Sequence, residues 1–428
     1  MDSFNSFNPN KLNKKFLFVA FFIFLYFLTK QSREKSILDN NFKNIKQINL
    51  LKNLIIKLNK YSHKSKKTNI IFTDLFLSKS CYDKNSFILF DYCINNHFYN
   101  PYYIVNNESD FYFSLIEQNK TKNLILYNAK NNFFFGDLYK YLKDALIIIT
   151  SYNIELLKII SSFVPYLKFL KINHGIRYFK VNSAKIEINP LWKKVNFICS
   201  SPLEYKLLKE LNYSMDKIHN ASLPRYERFQ FIKKNKKEKK CILVSFTYRS
   251  YNNSFFEKSI YKTNLEEFVN DIKLITYLTY KNIDLIYIPH HEEIDLEKNY
   301  SQNIFAYAKV KNQRDLEYYI EQCSLFITDF SSISFDFMFQ NKPVLFYLLD
   351  RNEKDLIRDK MHFAQIQDLK FFGNYYFQKN LLIKKIEYYI NRDFDIEHKL
   401  KKKYESIFFL KKNIIRRLIE IIDKIIKE

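Results

Sequence analysis

The sequence predicts an α/β protein of two domains, each built on a doubly wound sheet. Three observations carry this reading. Short apolar strands alternate with helical stretches from residue 69 onward, the pattern of βαβ units and parallel sheets. The alternation stops at Lys233–Lys240 (KKNKKEKK) and begins afresh at Ile242–Phe246, as where a solvated linker joins two domains. Ile147–Ile148–Ile149 has no polar face, which suits a strand covered on both sides.

Composition narrows the function. With 428 residues and 47% hydrophobic content the chain has ample core and is not disordered. Glycine occurs only at 136, 175 and 373, so no Gly-rich phosphate loop of the Walker or GxGxxG type is present. Any phosphate must be held by helix ends, hydroxyls and basic side chains. The net charge of +24 fits nucleic acid, an anionic membrane surface or an anionic substrate. No basic run is interleaved with a nucleic-acid module, so no nucleic-acid partner is expected. The five cysteines, at 81, 93, 199, 241 and 323, are odd in number and widely spaced. They suggest neither a zinc site nor a disulfide framework, and favour a reducing compartment.

Taken from the amino end, residues 1–45 are expected to associate with a membrane. Phe16–Thr29 is an uncharged, aromatic-rich run flanked by lysines. As a helix it spans about 21 Å, less than the roughly 30 Å hydrocarbon core. Basic residues follow it, with a stripe of Ile48, Leu51, Leu54, Ile55 and Leu58. The first domain is placed at residues 46–232. Its expected strands are Asn69–Phe72, Phe87–Phe90, Tyr102–Val105, Asn123–Tyr127, Leu146–Thr150, Phe169–Ile172 and Phe197–Cys199, with helices at Phe111–Gln118, Asp137–Leu142 and Pro202–Leu211. After the linker at 233–240, the second domain covers 241–390. Its expected strands are Ile242–Phe246, Asp284–Ile288, Ile304–Tyr307, Leu325–Thr328 and Val344–Tyr347, with helices at Leu265–Tyr280, Asp315–Cys323 and Ile333–Gln340. The last of these reads as amphipathic. Residues 391–428 form a helical tail. Its apolar positions Ile407, Leu410, Ile414, Leu418, Ile421 and Ile425 suit packing on the first domain, and its lysines with Arg416–Arg417 suit a membrane surface.

The candidate site residues fall just after strands, where ligands of open α/β sheets bind. His174 and Gly175 follow Phe169–Ile172. The histidine can exchange a proton near neutral pH, and the glycine permits tight backbone geometry or close approach of a ligand. Arg249, His290 and the run Thr328, Asp329, Phe330, Ser331, Ser332 follow strands of the second domain. Ser331 and Ser332 stand before a helix, where free N–H groups favour an anion, or where a serine simply caps the helix. Acidic residues show no metal-ligand spacing, so no tightly bound metal is expected; a loosely bound Mg²⁺ stays open.

These residues resemble a family. His174–Gly175, Leu223–Pro224–Arg225, Thr247–Tyr248–Arg249, Pro289–His290, the Thr328–Ser332 run, Phe335–Asp336 and Lys342–Pro343 occur in the order seen in CDP-glycerol glycerophosphotransferases. The resemblance covers roughly residues 70–380. It implies a GT-B fold, two Rossmann-like domains facing across a cleft. It implies transfer of a polyol phosphate, glycerol phosphate foremost, from a CDP-activated donor to a glycan or lipid-linked hydroxyl, with release of CMP. The implied roles are His174 as base on the acceptor side, with His290 also catalytic. Arg249, Thr328, Asp329, Ser331, Ser332 and Asp336 are implied around the donor phosphates, with Gly175 and Arg225 as further site positions. A GT-B glycosyltransferase using a nucleotide sugar for surface polysaccharide is the alternative. A non-catalytic membrane-associated module is a third reading. Nucleotide donors place the catalytic domains at the cytoplasmic face of the cell membrane. The chain departs from the family in Ile176–Lys180, where Thr-Pro-Leu-Lys is usual. It departs also in His291 after His290, and in Glu227, where an aspartate often follows the Pro-Arg pair.

Overall fold

The computed structural model describes residues 69–73, 85–127, 141, 145–150, 167–176, 178, 180–181, 195–231, 239–247, 260–289, 307–311, 315–350, 362–363 and 370–428. The expected hydrophobic helix at Phe16–Thr29 lies outside these residues, as do the stripe from Ile48 to Leu58, most of Asp137–Leu142, Ile304–Ala306, Arg249 and His290. Among the described residues no helix is long and apolar enough to cross a membrane.

The chain divides into two compact units, residues 1–170 with Glu428, and residues 171–427. The first holds β1 (Asn69–Thr73), α1 (Asn85–Asn95), β2 (Asn100–Asn106), α2 (Asp110–Glu117), β3 (Leu124–Tyr127) and β4 (Ala145–Thr150). β1 runs parallel to β2 and to β4, and β2 runs parallel to β3. All five residues of β1 are buried, as a strand with neighbours on both sides requires. Phe87–Phe90, expected as a strand, lies inside α1. Phe87, Phe90 and Cys93 recur at three-residue spacing and are buried, and both rings meet Tyr103 of β2 at 5.2 and 5.3 Å between centroids. A parallel β1–β2 pair needs a crossover, and this helix supplies it. The aromatic preference for strands is overridden by that tertiary demand.

Next in the chain are β5 (Lys168–Ile172), β6 (Lys180–Val181), β7 (Asn196–Cys199), α3 (Pro202–Glu210), β8 (Ile218–Asn220) and α4 (Pro224–Phe229). The first sheet has the order β3-β2-β1-β4-β5-β7-β8. The remaining strands are β9 (Cys241–Val244), β10 (Asp284–Tyr287), β11 (Lys309–Val310), β12 (Leu325–Thr328), β13 (Val344–Tyr347), β14 (His362–Phe363) and β15 (Asn374–Tyr376). The helices are α5 (Ile260–Val269), α6 (Ile272–Tyr280), α7 (Leu316–Gln322), α8 (Ile333–Phe339), α9 (Lys379–Asn391), α10 (His398–Ser406) and α11 (Ile414–Lys427). The second sheet has the order β11-β10-β9-β12-β13-β15 and its pairings are parallel. Numbered within the sheet this is 3-2-1-4-5-6, the doubly wound order, whose direction of winding reverses between β9 and β12. A short antiparallel pair joins β6 to β14.

Two helices depart from expectation. The single helix at 265–280 is two, α5 and α6, divided at Asn270–Asp271. Asp271 Oδ1 accepts from the Lys273 and Leu274 amides, both at 3.1 Å. Its side chain thus competes with the helical backbone and starts a new helix instead. The tail helix begins at Ile414, not Ile407. The Leu410 carbonyl accepts from Ser222 Oγ, and the Ile414 amide donates to Glu227 Oε2 at 2.7 Å. Glu227 therefore caps α11, which gives the longer side chain at this position a structural purpose. Ile414, Ile415, Leu418, Ile419, Ile421, Ile422 and Ile425 are all buried. The apolar stripe is taken up by protein, in part by α4, and the reading of the tail as a membrane-surface helix is set aside.

Candidate active site

The site is built where the second sheet changes its direction of winding. β12 ends at Thr328, and the chain turns through Asp329, Phe330, Ser331 and Ser332 into α8. Thr328 and Asp329 are fully buried. Asp329 Oδ1 accepts from the Thr247 amide at 2.8 Å. Thr247 follows β9, the neighbour of β12, so Asp329 ties together the two strand ends that flank the reversal.

Ser332 occupies the position before α8 with φ −65° and ψ −15°, and its side chain makes no capping hydrogen bond. Ser331 Oγ is 3.4 Å from the Ile333 amide, too long for a strong cap. Ser334 bonds back instead, its Oγ donating to the Ser331 carbonyl at 2.8 Å. Capping therefore accounts for neither hydroxyl well. α8 is not amphipathic as expected, since every residue from Ser334 to Phe339 is buried. Phe326 and Phe337 stack at 4.8 Å, and α8 is enclosed by packing.

The His174 loop meets this turn. Asn173 is buried and donates to Glu204 Oε1 at 2.8 Å, while Glu204 Oε2 accepts from the Ser200 amide at 2.9 Å. His174 is exposed. Gly175 is buried, and a Cβ placed on it would lie 2.8 Å from Ser332 Oγ and 3.0 Å from Ser332 Cβ. Close approach, not backbone freedom, is what this glycine provides, and the approaching group is the serine turn itself.

Arg225, on α4, joins the two. Its Nε reaches Asp336 Oδ1 at 3.0 Å, and its Nη2 reaches Oδ1 at 2.7 Å and Oδ2 at 2.9 Å. Its Nη1 donates to the His174 carbonyl. Asp336 is 1% exposed and Arg225 14%. Burial pushes the Asp336 carboxyl above the ordinary carboxylate range, and the Arg225 guanidinium draws it back. α4 is fixed from behind: Tyr226 stacks on Phe339 at 4.4 Å, and Arg228 pairs with Glu317 at 2.6 Å and Glu321 at 2.5 Å on α7.

His174, Gly175, Arg225, Ser332 and Asp336 thus converge within the second unit, with Ser331 in the same turn and Thr328 and Asp329 at the strand end that leads into it. Arg249 and His290 lie outside the described residues. Two further residues carry the arrangement: Glu204, which the sequence pattern did not single out, and Lys342, already named within Lys342–Pro343. Glu204 stands third after Ser201, the N-cap of α3. That S-x-x-E spacing reads as a capping box, but its reach to Asn173 is tertiary. Lys342 is buried and donates to the Ile320 and Glu321 carbonyls at 2.9 and 2.6 Å. It closes the carboxyl end of α7, so the Lys-Pro pair serves structure here. Among the described residues no group of three or more His, Cys, Asp or Glu is placed to hold a metal ion.

Parallel α/β sheets, one of doubly wound order, with a histidine loop set against a serine turn at a strand end, define an α/β protein with its candidate site at a topological switch point. The profile of the CDP-glycerol:poly(glycerophosphate) glycerophosphotransferase family matches residues 56–422, and the chain belongs to that family. Among curated proteins it is similar to the minor teichoic acid biosynthesis protein GgaB of Bacillus subtilis (strain 168), 24% identical over 435 residues. That match covers 90% of this chain and 45% of GgaB, so the chain spans about half the length of this relative. Among solved structures it is similar to the wall teichoic acid polymerase TagF, at 15% identity and a TM-score of 0.59, covering 90% of this chain and 97% of that one. It is also similar to UDP-GlcNAc 2-epimerase from Neisseria meningitidis bound to UDP-GlcNAc, at 11% identity and a TM-score of 0.51, covering 85% of this chain and 100% of that one. At these identities the structures share a fold with this chain.

Proposed function

We propose that this protein transfers glycerol phosphate from CDP-glycerol to a hydroxyl of a teichoic-acid-type acceptor. The acceptor oxygen attacks the β-phosphorus, a new P–O bond forms, the bond to the α-phosphate oxygen breaks, and CMP leaves. His174 takes the acceptor's proton. His290, Arg249 and the Ser331–Ser332 turn hold the diphosphate, whose charge needs fixed donors because positioning and electrostatics dominate phosphoryl transfer. The observation that carries this reading is the packing of Gly175 onto Ser332. What supports it is that the loop carrying the exposed His174 packs against a serine turn whose hydroxyls helix capping uses poorly. The reading assigns no resident metal and leaves room for Mg²⁺ arriving with the donor.

The donor is made in the cytoplasm, so the catalytic units belong on that side of the membrane, with Phe16–Thr29 lying in or partly entering the cytoplasmic leaflet, or spanning the membrane with its amino end outside. The basic residues that follow would add on the order of 1 kcal/mol each at an anionic surface. Removing residues 1–30 should move the protein from the membrane to the soluble fraction and leave activity on a soluble acceptor.

The test of function is CMP release from a panel of CDP-glycerol, CDP-ribitol and nucleotide sugars, with membrane-extracted acceptors and products sized by mass spectrometry. CMP release from CDP-glycerol with a mass gain of one glycerol phosphate per turnover is expected. Release of nucleotide from a sugar donor alone would replace this reading with the glycosyltransferase one.

A further inference from the structure

We propose that Arg225 and Asp336 act as a positioning pair that sets the His174 loop against the Ser331–Ser332 turn, and that Arg225 is not itself a ligand of the donor phosphates. The inference rests on the proposed role of His174 as base.

A basic residue in a phosphate-handling site is ordinarily read as a phosphate ligand. The geometry here points elsewhere. Nε and Nη2 of Arg225 donate to Asp336, and Nη1 donates to the His174 carbonyl. Asp336, at 1% exposure, takes its ion pair from that guanidinium, at 2.7 Å. It projects from the first turn of α8, the helix that follows the serines. One planar group thus bridges the base's own main chain and the helix that begins at the serine turn. Lysine cannot reproduce this, since a single ammonium does not present two parallel N–H groups to a carboxylate and a third to a carbonyl.

The bridge is built to be stiff. Arg228 is pinned to Glu317 and Glu321, Glu227 caps α11, and Ser222 bonds to Leu410, so α4 is held on other sides as well. On the far side of the loop, Asn173 is held by Glu204. His174 is the exposed residue between two anchored neighbours. Its carbonyl is held by Arg225, and the residue stays exposed.

The experiment compares the full-length protein with Arg225→Lys, Asp336→Asn and the double variant. Three quantities are read: kcat and KM for CDP-glycerol, and hydrogen exchange at the Gly175 and Ile176 amides. Arg225→Lys should lower kcat by about 10- to 100-fold, the cost of displacing a reacting group by an ångström or less. Donor KM should stay within about threefold, because no donor contact is lost. Exchange at Gly175 and Ile176 should quicken by about tenfold as the loop opens locally. The double variant should be little worse than Arg225→Lys alone, as for residues that act as a unit. A raised donor KM with kcat unchanged would make Arg225 a phosphate ligand and overturn the proposal. Unchanged kcat and unchanged exchange would overturn it also. If the wild type turns over no CDP-polyol, the functional reading fails by itself. The exchange measurement still decides whether Arg225 holds the loop.

Discussion

Gly175→Ala tests the central contact of the site. The added methyl carbon would lie 3.0 Å from Ser332 Cβ and 2.8 Å from Ser332 Oγ. Carbon atoms prefer about 3.5–4.0 Å, so the loop and the turn must separate by about 0.5–1 Å. The hydroxyl can rotate away, but the Cβ cannot. Overpacking of this kind costs about 1–3 kcal/mol. The same separation shifts His174 relative to the serine turn, and a misplacement near 1 Å lowers turnover by about 10²-fold. Urea unfolding gives the first quantity and CMP release the second. The decisive variant is Gly175→Ala combined with Ser332→Gly. With Ser332 cut back, the nearest remaining neighbour of the new methyl is Arg225 Nη2 at 3.8 Å, an ordinary contact. Stability should then recover by more than the about 0.5–1 kcal/mol that a new glycine costs. Donor binding should weaken in the double variant, because the Ser332 hydroxyl is gone. Unfolding free energies that merely add within about 0.3–0.5 kcal/mol would refute the steric argument. So would an unaltered stability of Gly175→Ala alone.

His174→Ala should lower turnover by about 10²–10⁴-fold with donor affinity nearly unchanged; near-normal turnover would make His174 a structural residue. Lys342→Met should destabilise the protein by about 1.5–3 kcal/mol, since a charged donor to two helix-end carbonyls is lost, and an unchanged midpoint in urea would argue against that role. Asp271 should contribute to acid unfolding. Burial raises its carboxyl, but the Leu274 and Lys273 amides and Lys379, 3.2 Å away, outweigh this and hold it below the ordinary value. A group depressed in the folded state stabilises above its unfolded pKa of about 3.9 and loses that contribution as pH falls through its folded value. Asp271→Asn keeps the cap but cannot titrate, so its stability should fall less steeply below about pH 4; equal slopes would remove Asp271 from the account.

How far the sequence reaches can be judged strand by strand. Leu325–Thr328 and Val344–Tyr347 are observed with the expected ends, because a short apolar run bounded by Ser324 and Asp329, or by Pro343, leaves little choice. Phe87–Phe90 reads as a strand on the same grounds and is a helix: a brief aromatic run suits either, and only the need for a crossover between β1 and β2 decides it. The split of the 265–280 helix was legible in principle, since an aspartate inside a helical pattern offers the backbone another acceptor.

The candidate site divides in the same way. Its residue types and their places after strands came from local pattern, which acts over a few residues: strand period, turn chemistry, a glycine after a histidine. By itself the sequence determined the α/β alternation, the family, and that a histidine loop and a serine turn each stand at a strand end. What holds them together was decided by tertiary structure. Arg225 meets Asp336 across 111 residues and the His174 carbonyl across 51. Nothing in the local pattern says which basic side chain a buried carboxylate will pair with. That choice is made when burial strips water from Asp336 and leaves the guanidinium as its nearest compensating charge. Gly175 is the same case: its small size is written in the chain, but the Ser332 side chain that requires it arrives only when the sheets have folded.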